Sequence, residues 1–483
     1  MEDTKAVIEE QQQPYRTIKL VQDDSYWAHV EGFHRQEIMA LRKPMGYLID
    51  GARFSKKFQS GKWDGFDYLL NYNGTYPVGM TERLITAIHK LGNFECKIVK
   101  LEAFTDLIIP KKKIIELRDY QEEARDTLLA CQSGILSIPP GTGKTRIAVA
   151  MMQRLASKEQ PALFICHTKE IFNQTCKALK DLLGPKSYSQ LTSSKKWNLD
   201  ALCLVATIQL LNSPKRKEQL KELQEKVGSI FFDEAHHTGS KTWLDLAKSF
   251  DKTFYRYGLT GTAFRNDGSD MLLEAATGPV RFHRTNQEMV EAGWLVQPTV
   301  YMITNSLKNV GGDDYQEAYS LAIVDNEERN DLIVQLAKRL ASEDRRSLIL
   351  VTRIEHGLYL GSQIPGCSFV VGSGDFKTAD EARKNIFNRF RSGKIKVVIA
   401  TSLADEGLDL PVLDALVLAG AGSSDIKSIQ RVGRVMRTYK DKGSALVFDF
   451  IDRHSFFMNR QANIRIACYR ECGWPVYSYT LQE

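Results

Sequence analysis

The sequence predicts an α/β chain: two tandem parallel-sheet units preceded by a small α+β unit. Two observations carry this expectation. At 483 residues the chain is too long for a single ordinary core. From Ile114 onward, short apolar runs alternate with longer helical patterns, the signature of a parallel sheet covered on both faces.

Residues 1–13 end in Gln11-Gln12-Gln13, have little to bury and read as disordered. Residues 14–112 form the small unit. It has alternating stretches such as "RTIKLV", a turn-rich middle, and a helical pattern in "TERLITAIHKLG" that stops at Gly92. "IIPKKKIIELRDYQ" reads as a linker into the first large unit, residues 113–300, whose strands are "GILSI", "ALFIC", "ALCLVA", "GSIFF" and "YRYGLT". The rhythm recurs in residues 301–483 with "RSLILV", "CSFVV", "IKVVIA", "DALVLA" and "SALVFDF". Between the two, the Gly-Gly-Asp-Asp cluster in "EAGWLVQPTVYMITNSLKNVGGDDYQ" marks a connection or an exposed loop. The tail from Arg453 reads as a helix and a strand packed on the second large unit.

Composition narrows the class. No apolar run is long enough to span a bilayer, and the acidic start "MEDTKAVIEEQQQP" is unlike a signal peptide, so an intracellular location is expected, the host cytoplasm if a phage encodes the chain. The eight cysteines lack the paired spacing of a zinc site and read as reduced thiols. Of the net charge of +6, residues 14–113 carry +5, from sixteen Lys/Arg against eleven Asp/Glu, which makes that region the first candidate to meet a polyanion.

"SIPPGTGKTRIAVA", Ser137 to Ala150, lies between a predicted strand and a predicted helix. In such a turn, from Pro140 on, the N–H groups of Gly141, Thr142 and Gly143 converge on phosphate oxygens, helped by the helix N-terminus. Lys144 then reaches the β- and γ-phosphates of ATP, and the Thr145 hydroxyl ligates Mg²⁺. Ile138 stands where the usual pattern has its first glycine. The partner of such a loop is a carboxylate at a strand end, and "GSIFFDEAHH" supplies it: Asp233 for Mg²⁺, Glu234 for the attacking water, and His236 close enough to sense the nucleotide.

With these residues in place, the chain resembles the superfamily 2 helicases and translocases across residues 115 to 450. The resemblance implies two RecA-like domains. "LRDYQ" resembles the family's adenine-recognition element, implying that Gln121 reads the base edge with Arg118 in support. "CHTKEIFNQT" and "VATIQLL" resemble strand-gripping motifs, implying phosphate contacts at Thr168, Lys169, Gln174 and Thr207. "GLTGTAFR" resembles the coupling motif, with Thr260 and Thr262 linking ATP to nucleic acid. "ATSLADEGLDLP" implies that Thr401 touches the strand and that Gly407 and Asp409 reach the nucleotide. "QRVGRVMR" resembles the last motif: Gln430, Arg434 and Arg437 recur every three to four residues, so on a helix they share one face. Guanidinium groups so presented stabilise charge on a γ-phosphate, worth about 10³ to 10⁵ in rate. An active site then exists only when two domains close on each other, which turns hydrolysis into movement.

Within the superfamily the likeness is to the UvsW-like, XPB-related helicases that act on forks and junctions. After the coupling motif, "FRND" resembles an Arg-Glu-Asp element of that group, with Asn266 in place of the Glu, so no strand-opening role is carried over to Arg265 or Asp267. "GARFSKKFQSGKWDGFDYLLNYNGTYPVG" resembles the group's N-terminal region, implying double-stranded or branched DNA as partner. In chemical terms the stretch interleaves Arg53, Lys56, Lys57 and Lys62 with Phe54, Phe58, Trp63 and Phe66. The cations suit phosphates; the rings suit either a small core or stacking on unpaired bases. The expected activity is an ATP-dependent DNA helicase or translocase on forked or four-way DNA, using ATP and Mg²⁺. An RNA helicase, a restriction-enzyme motor and a DNA-binding scaffold with a vestigial ATPase are the alternatives.

Overall fold

The computed structural model describes residues 16–49, 51–101, 115–233, 241–261, 269–304, 314–372, 378–401, 410–420, 422, 431–439, 442–453 and 455–479. The N-terminal residues 1–13 and residues 108–114 of the expected linker lie outside them. Among the described residues no helix is long and apolar enough to cross a membrane.

The small unit is a four-stranded sheet in the order Thr75–Pro77, Trp27–Glu31, Arg16–Gln22, Phe94–Val99. Alternation along Arg16–Gln22 turns Ile18 and Leu20 inward, where they share a core with Leu84 and Ile88 of helix Thr81–Leu91. That helix stops at Gly92. A separate hairpin pairs Gly46–Leu48 with Phe66–Tyr68.

The core of this unit runs on into the first large unit without a break. Ser25 N donates to Asp251 O at 3.1 Å. Arg256 lies buried beneath the Tyr26 ring, 5.2 Å from its centroid, and donates to Ser25 Oγ at 3.2 Å. The ion pairs Arg83–Glu274 at 2.7 Å and Arg281–Glu82 at 2.6 Å flank the seam. The unit is therefore fixed to the first large unit by buried polar contacts, which are costly to break.

Each large unit is a seven-stranded sheet with all its pairs parallel. In the first the order is Val280–His283, Ser133–Ser137, Tyr255–Thr260, Ser229–Phe232, Ala162–Cys166, Cys203–Thr207, Tyr188–Gln190. In the second it is Ser368–Val370, Val397–Thr401, Ser347–Val351, Ala415–Leu418, Ala445–Ile451, Pro298–Thr304, Val476–Tyr479. All ten predicted strands are present, and apart from the edge strand Ser368–Val370, whose Phe369 is half-buried, their central positions are buried, as covered parallel sheets require.

The stretch expected to be a connection needs correcting. It contains the seven-residue strand Pro298–Thr304, sandwiched between Ala445–Ile451 and Val476–Tyr479. Its partners lie far ahead in sequence, so its local turn residues concealed it. The tail is integral to the second lobe. In helix Phe456–Glu471, Arg465 grips buried Asp449 through Nε at 2.8 Å and Nη2 at 2.9 Å, and Tyr469 OH donates to the same carboxylate at 2.9 Å.

Candidate active site

Sheet order assembles the ATP side of the site. Strands Ser133–Ser137, Tyr255–Thr260 and Ser229–Phe232 are consecutive neighbours, so their carboxyl ends bring together the phosphate loop, Thr260 and Asp233. Open α/β sheets bind ligands at this edge. Gly141 at φ 85° and Gly143 at φ 90° form the turn that feeds helix Lys144–Leu155. Lys144 is buried, and its ammonium makes one long bond, 3.5 Å, to Ile138 O. It lies beside Gly261, where a Cβ would come within 2.8 Å of its Nζ. A buried ammonium so sparsely bonded suits an anion of several oxygens. Asp233 is buried one residue past its strand, with its N–H held by Ile165 O at 2.9 Å. Asp233 and Thr145 offer hard oxygen donors, the set that Mg²⁺ prefers.

The second lobe closes directly on this loop. A Cβ on Gly141 would meet Arg437 Cγ at 2.8 Å and Nε at 3.1 Å. A Cβ on Gly433 would meet Pro140 Cβ at 2.7 Å, so the Gly433 backbone lies against the Pro140 ring across the lobes. Arg434 follows Gly433 on the same segment, half-buried. One expectation is corrected: Arg434 is helical, but the helical segment 431–435 ends before Arg437. Arg437 pairs instead with Leu295, and Met436 O accepts from Val296 N at 2.7 Å. The Lys442 ammonium takes Val435 O, Arg437 O at 3.1 Å and Pro411 O at 3.3 Å. With its terminal carbonyls satisfied from outside, the helix stops and Arg437 is delivered to the loop by the inter-lobe crossing itself.

On the adenine side, Gln121 is buried and its amide is spent on bracing. Nε2 donates to Thr142 O at 2.9 Å, and Oε1 accepts from Arg118 N at 3.1 Å. In this structure Gln121 steadies the phosphate loop rather than presenting a free edge to a base. Tyr120 OH donates to the same Thr142 carbonyl. Arg118 lies over the Trp294 ring at 4.7 Å, and Tyr120 packs against that indole at 5.6 Å. Trp294 thus joins the site from the inter-lobe segment. Nothing in the local sequence marked it, because its role appears only when the lobes close; the same is true of Gly433 and Lys442.

Farther along the same rim, Ala162–Cys166 and Cys203–Thr207 are adjacent. Past the first of them, Thr168 caps the helix Lys169–Leu183 by accepting from Ile171 N at 3.3 Å, and Lys169 and Gln174 on that helix are exposed; half-buried Thr207 ends the second strand. Thr401 differs from expectation: it is buried, and its hydroxyl accepts from Gly372 N at 3.0 Å, fixing a turn rather than offering an open contact. Glu234, His236, Thr262, Arg265, Asn266, Asp267, Gly407, Asp409 and Gln430 lie outside the described residues.

In the small unit, Arg53, Lys56, Lys57 and Lys62 are all exposed. The four rings among them do not form a core: Phe58, Trp63 and Phe66 are half-buried, and Phe54 is 85% exposed. The segment is too short to enclose them, and the unit's core is built elsewhere, on Ile18, Leu20, Leu84 and Ile88.

Three family models match the chain in order: "DNA helicase UvsW, N-terminal" over residues 17–101, "Type III restriction enzyme, res subunit" over 114–265, and "Helicase conserved C-terminal domain" over 328–439. The DNA 3'-5' translocase XPB2 of Sulfurisphaera tokodaii is 27% identical, over 70% of this chain and 82% of its own. The ATP-dependent DNA helicase uvsW of Enterobacteria phage T4 is 25% identical, over 85% of this chain and 86% of its own. The fold matches that of S. cerevisiae Dbp5 bound to RNA and ADP BeF3, with a TM-score of 0.53 at 17% identity, over 75% of this chain and 89% of that one. The order of the three models and the two-lobed ATP site agree: the chain is a superfamily 2 helicase of the UvsW-like group, a nucleic-acid-dependent ATPase.

Proposed function

We propose that this chain is an ATP-driven DNA motor that unwinds or remodels forked and four-way branched duplexes. The observation that carries the reading is the contact of Arg437 with the phosphate loop at Gly141, which makes the active site joint property of two lobes.

Gly141, Thr142 and Gly143 cradle the phosphates, and Lys144 neutralises them. Thr145 and Asp233 would hold Mg²⁺, which would supply charge neutralisation at the phosphates. Glu234 takes the proton of the attacking water as its oxygen bonds to the γ-phosphorus, and the bond to the bridging oxygen breaks with its electron pair leaving on ADP. Arg434 and Arg437 stabilise the charge that spreads over the transferring group. Loss of the γ-phosphate removes the ligand shared by Lys144 and Arg437, and the lobes separate. A strand held along the rim at Thr168, Lys169, Gln174 and Thr207 is then advanced at each cycle. The relatives named as DNA enzymes favour DNA over RNA, and the exposed cations of the small unit suit the phosphates of either.

The test is ATP hydrolysis with single-stranded DNA, duplex, fork, four-way junction and RNA of equal length. Branched DNA is expected to stimulate most, with Lys144→Ala abolishing hydrolysis while DNA binding persists. Preferential stimulation by RNA would overturn the reading.

A further inference from the structure

Ile49 and residues 51–65 form a closed knob at the end of the Gly46–Leu48 and Phe66–Tyr68 hairpin. Ile49 N donates to Gly65 O at 2.9 Å and shuts its base. Inside it, Ala52 N, Phe54 N and Ser55 N donate to the carbonyls of Ile49, Gly51 and Ala52, each at 3.0 Å. Gly51 starts this turn at φ 72°, and buried Ala52 pins it. Ser55 then caps the short helix Lys56–Gln59, accepting from Phe58 N at 3.2 Å, and Lys62 N closes back on Lys57 O at 3.0 Å.

The knob treats its aromatics unequally. Phe58 packs near Gly65, where a Cβ would meet its ring at 3.1 Å. Trp63 Nε1 donates to Phe66 O at 2.8 Å, and Phe66 stacks on Tyr68 at 6.2 Å. Phe54 is left in solvent at 85% exposure, on a backbone fixed on both sides. A large apolar ring held in water gains nothing for folding. Its neighbours Arg53, Lys56 and Lys57 are exposed as well. A ring on a rigid turn among cations matches the way single-stranded nucleic acid is held, by stacking on bases and neutralising the phosphates beside them.

We propose that Phe54 stacks on an unpaired base at the branch point of the DNA, with Arg53, Lys56 and Lys57 on the flanking phosphates. This rests on the DNA reading above. It gives the small unit, fixed to the first lobe through Ser25 and Arg256, a means to mark where strands part while the lobes pull.

The experiment uses the full chain and a fork with 2-aminopurine at the first unpaired position. Stacking on an aromatic side chain implies that Phe54→Ala binds the fork about 5- to 150-fold more weakly and loses the quench of 2-aminopurine. Binding to fully paired duplex should change less than about twofold, because the phosphate contacts remain. Phe54→Trp should restore both signals. Phe54 is so exposed that its truncation leaves the fold intact, and an unchanged melting temperature verifies this. Equal fork affinity and quench in Phe54→Ala and the parent would overturn the stacking proposal alone, provided DNA still stimulates the parent's ATPase. An unstimulated parent would overturn the DNA reading and this proposal with it.

Discussion

Replacing Gly433 by alanine separates inter-lobe geometry from everything else in the molecule. The new Cβ would sit 2.7 Å from Pro140 Cβ and 3.0 Å from its Cγ. Carbon atoms rest at about 3.5–4.0 Å, so the segment must retreat by roughly 1 Å. Arg437, four residues on, retreats from Gly141 with it. A displacement of about 1 Å costs about 10²-fold in rate, short of the 10³ to 10⁵ of losing an arginine finger outright. Alanine is also the better helix former by about 1 kcal/mol, so in the helical segment 431–435 it should not lower the stability of the second lobe. The expected phenotype is distinctive. DNA-stimulated hydrolysis falls by about two orders of magnitude, fluorescent-ATP affinity changes little because the first lobe supplies most of the cradle, and the melting temperature holds or rises. Hydrolysis within twofold of the parent would refute the reasoning, because the lobes would then not meet at Pro140 during the reaction.

Two further outcomes follow from buried charges. Burial pushes the Lys442 ammonium down to about 8 from the ordinary lysine value of 10.5; Asp414 opposes this, and Arg437 and Arg346 add to it. The folded chain therefore releases this proton before the unfolded chain does, so on this count stability is constant below about pH 8 and rises from there toward pH 10.5. Activity should move the other way: a neutral amine has two N–H donors for three carbonyls, so hydrolysis should fall with a midpoint near pH 8, and this step should vanish in Lys442→Met. A pH–rate profile checks both. Arg465→Met strands the Asp449 carboxylate in the core of the second lobe, and denaturant unfolding should report a loss of about 3–5 kcal/mol.

The chemistry was legible in the sequence where it depends on neighbours along the chain. The turn before Lys144, the carboxylate after Ser229–Phe232 and the apolar runs of the two sheets are local patterns that the structure reproduces. What escaped depends on contacts between distant residues. Strand Pro298–Thr304 is stabilised by partners that follow it by more than a hundred residues, and Tyr188–Gln190 and Val280–His283 are short edge strands with no apolar run to announce them. Gly433 read as part of a helical arginine motif; that it must lack a side chain is visible only when Pro140 is laid against it. Arg256 looked like an ordinary strand residue until Tyr26 and Ser25 covered it.

The joint ownership of the ATP site is tested most directly by single-turnover hydrolysis of bound ATP in Arg437→Ala on a forked duplex. The expected result is a chemical step slowed by about 10³-fold or more, with ATP affinity within a fewfold of the parent. An unchanged chemical step would contradict it, leaving the first lobe to hydrolyse ATP alone and the second without a part in the chemistry.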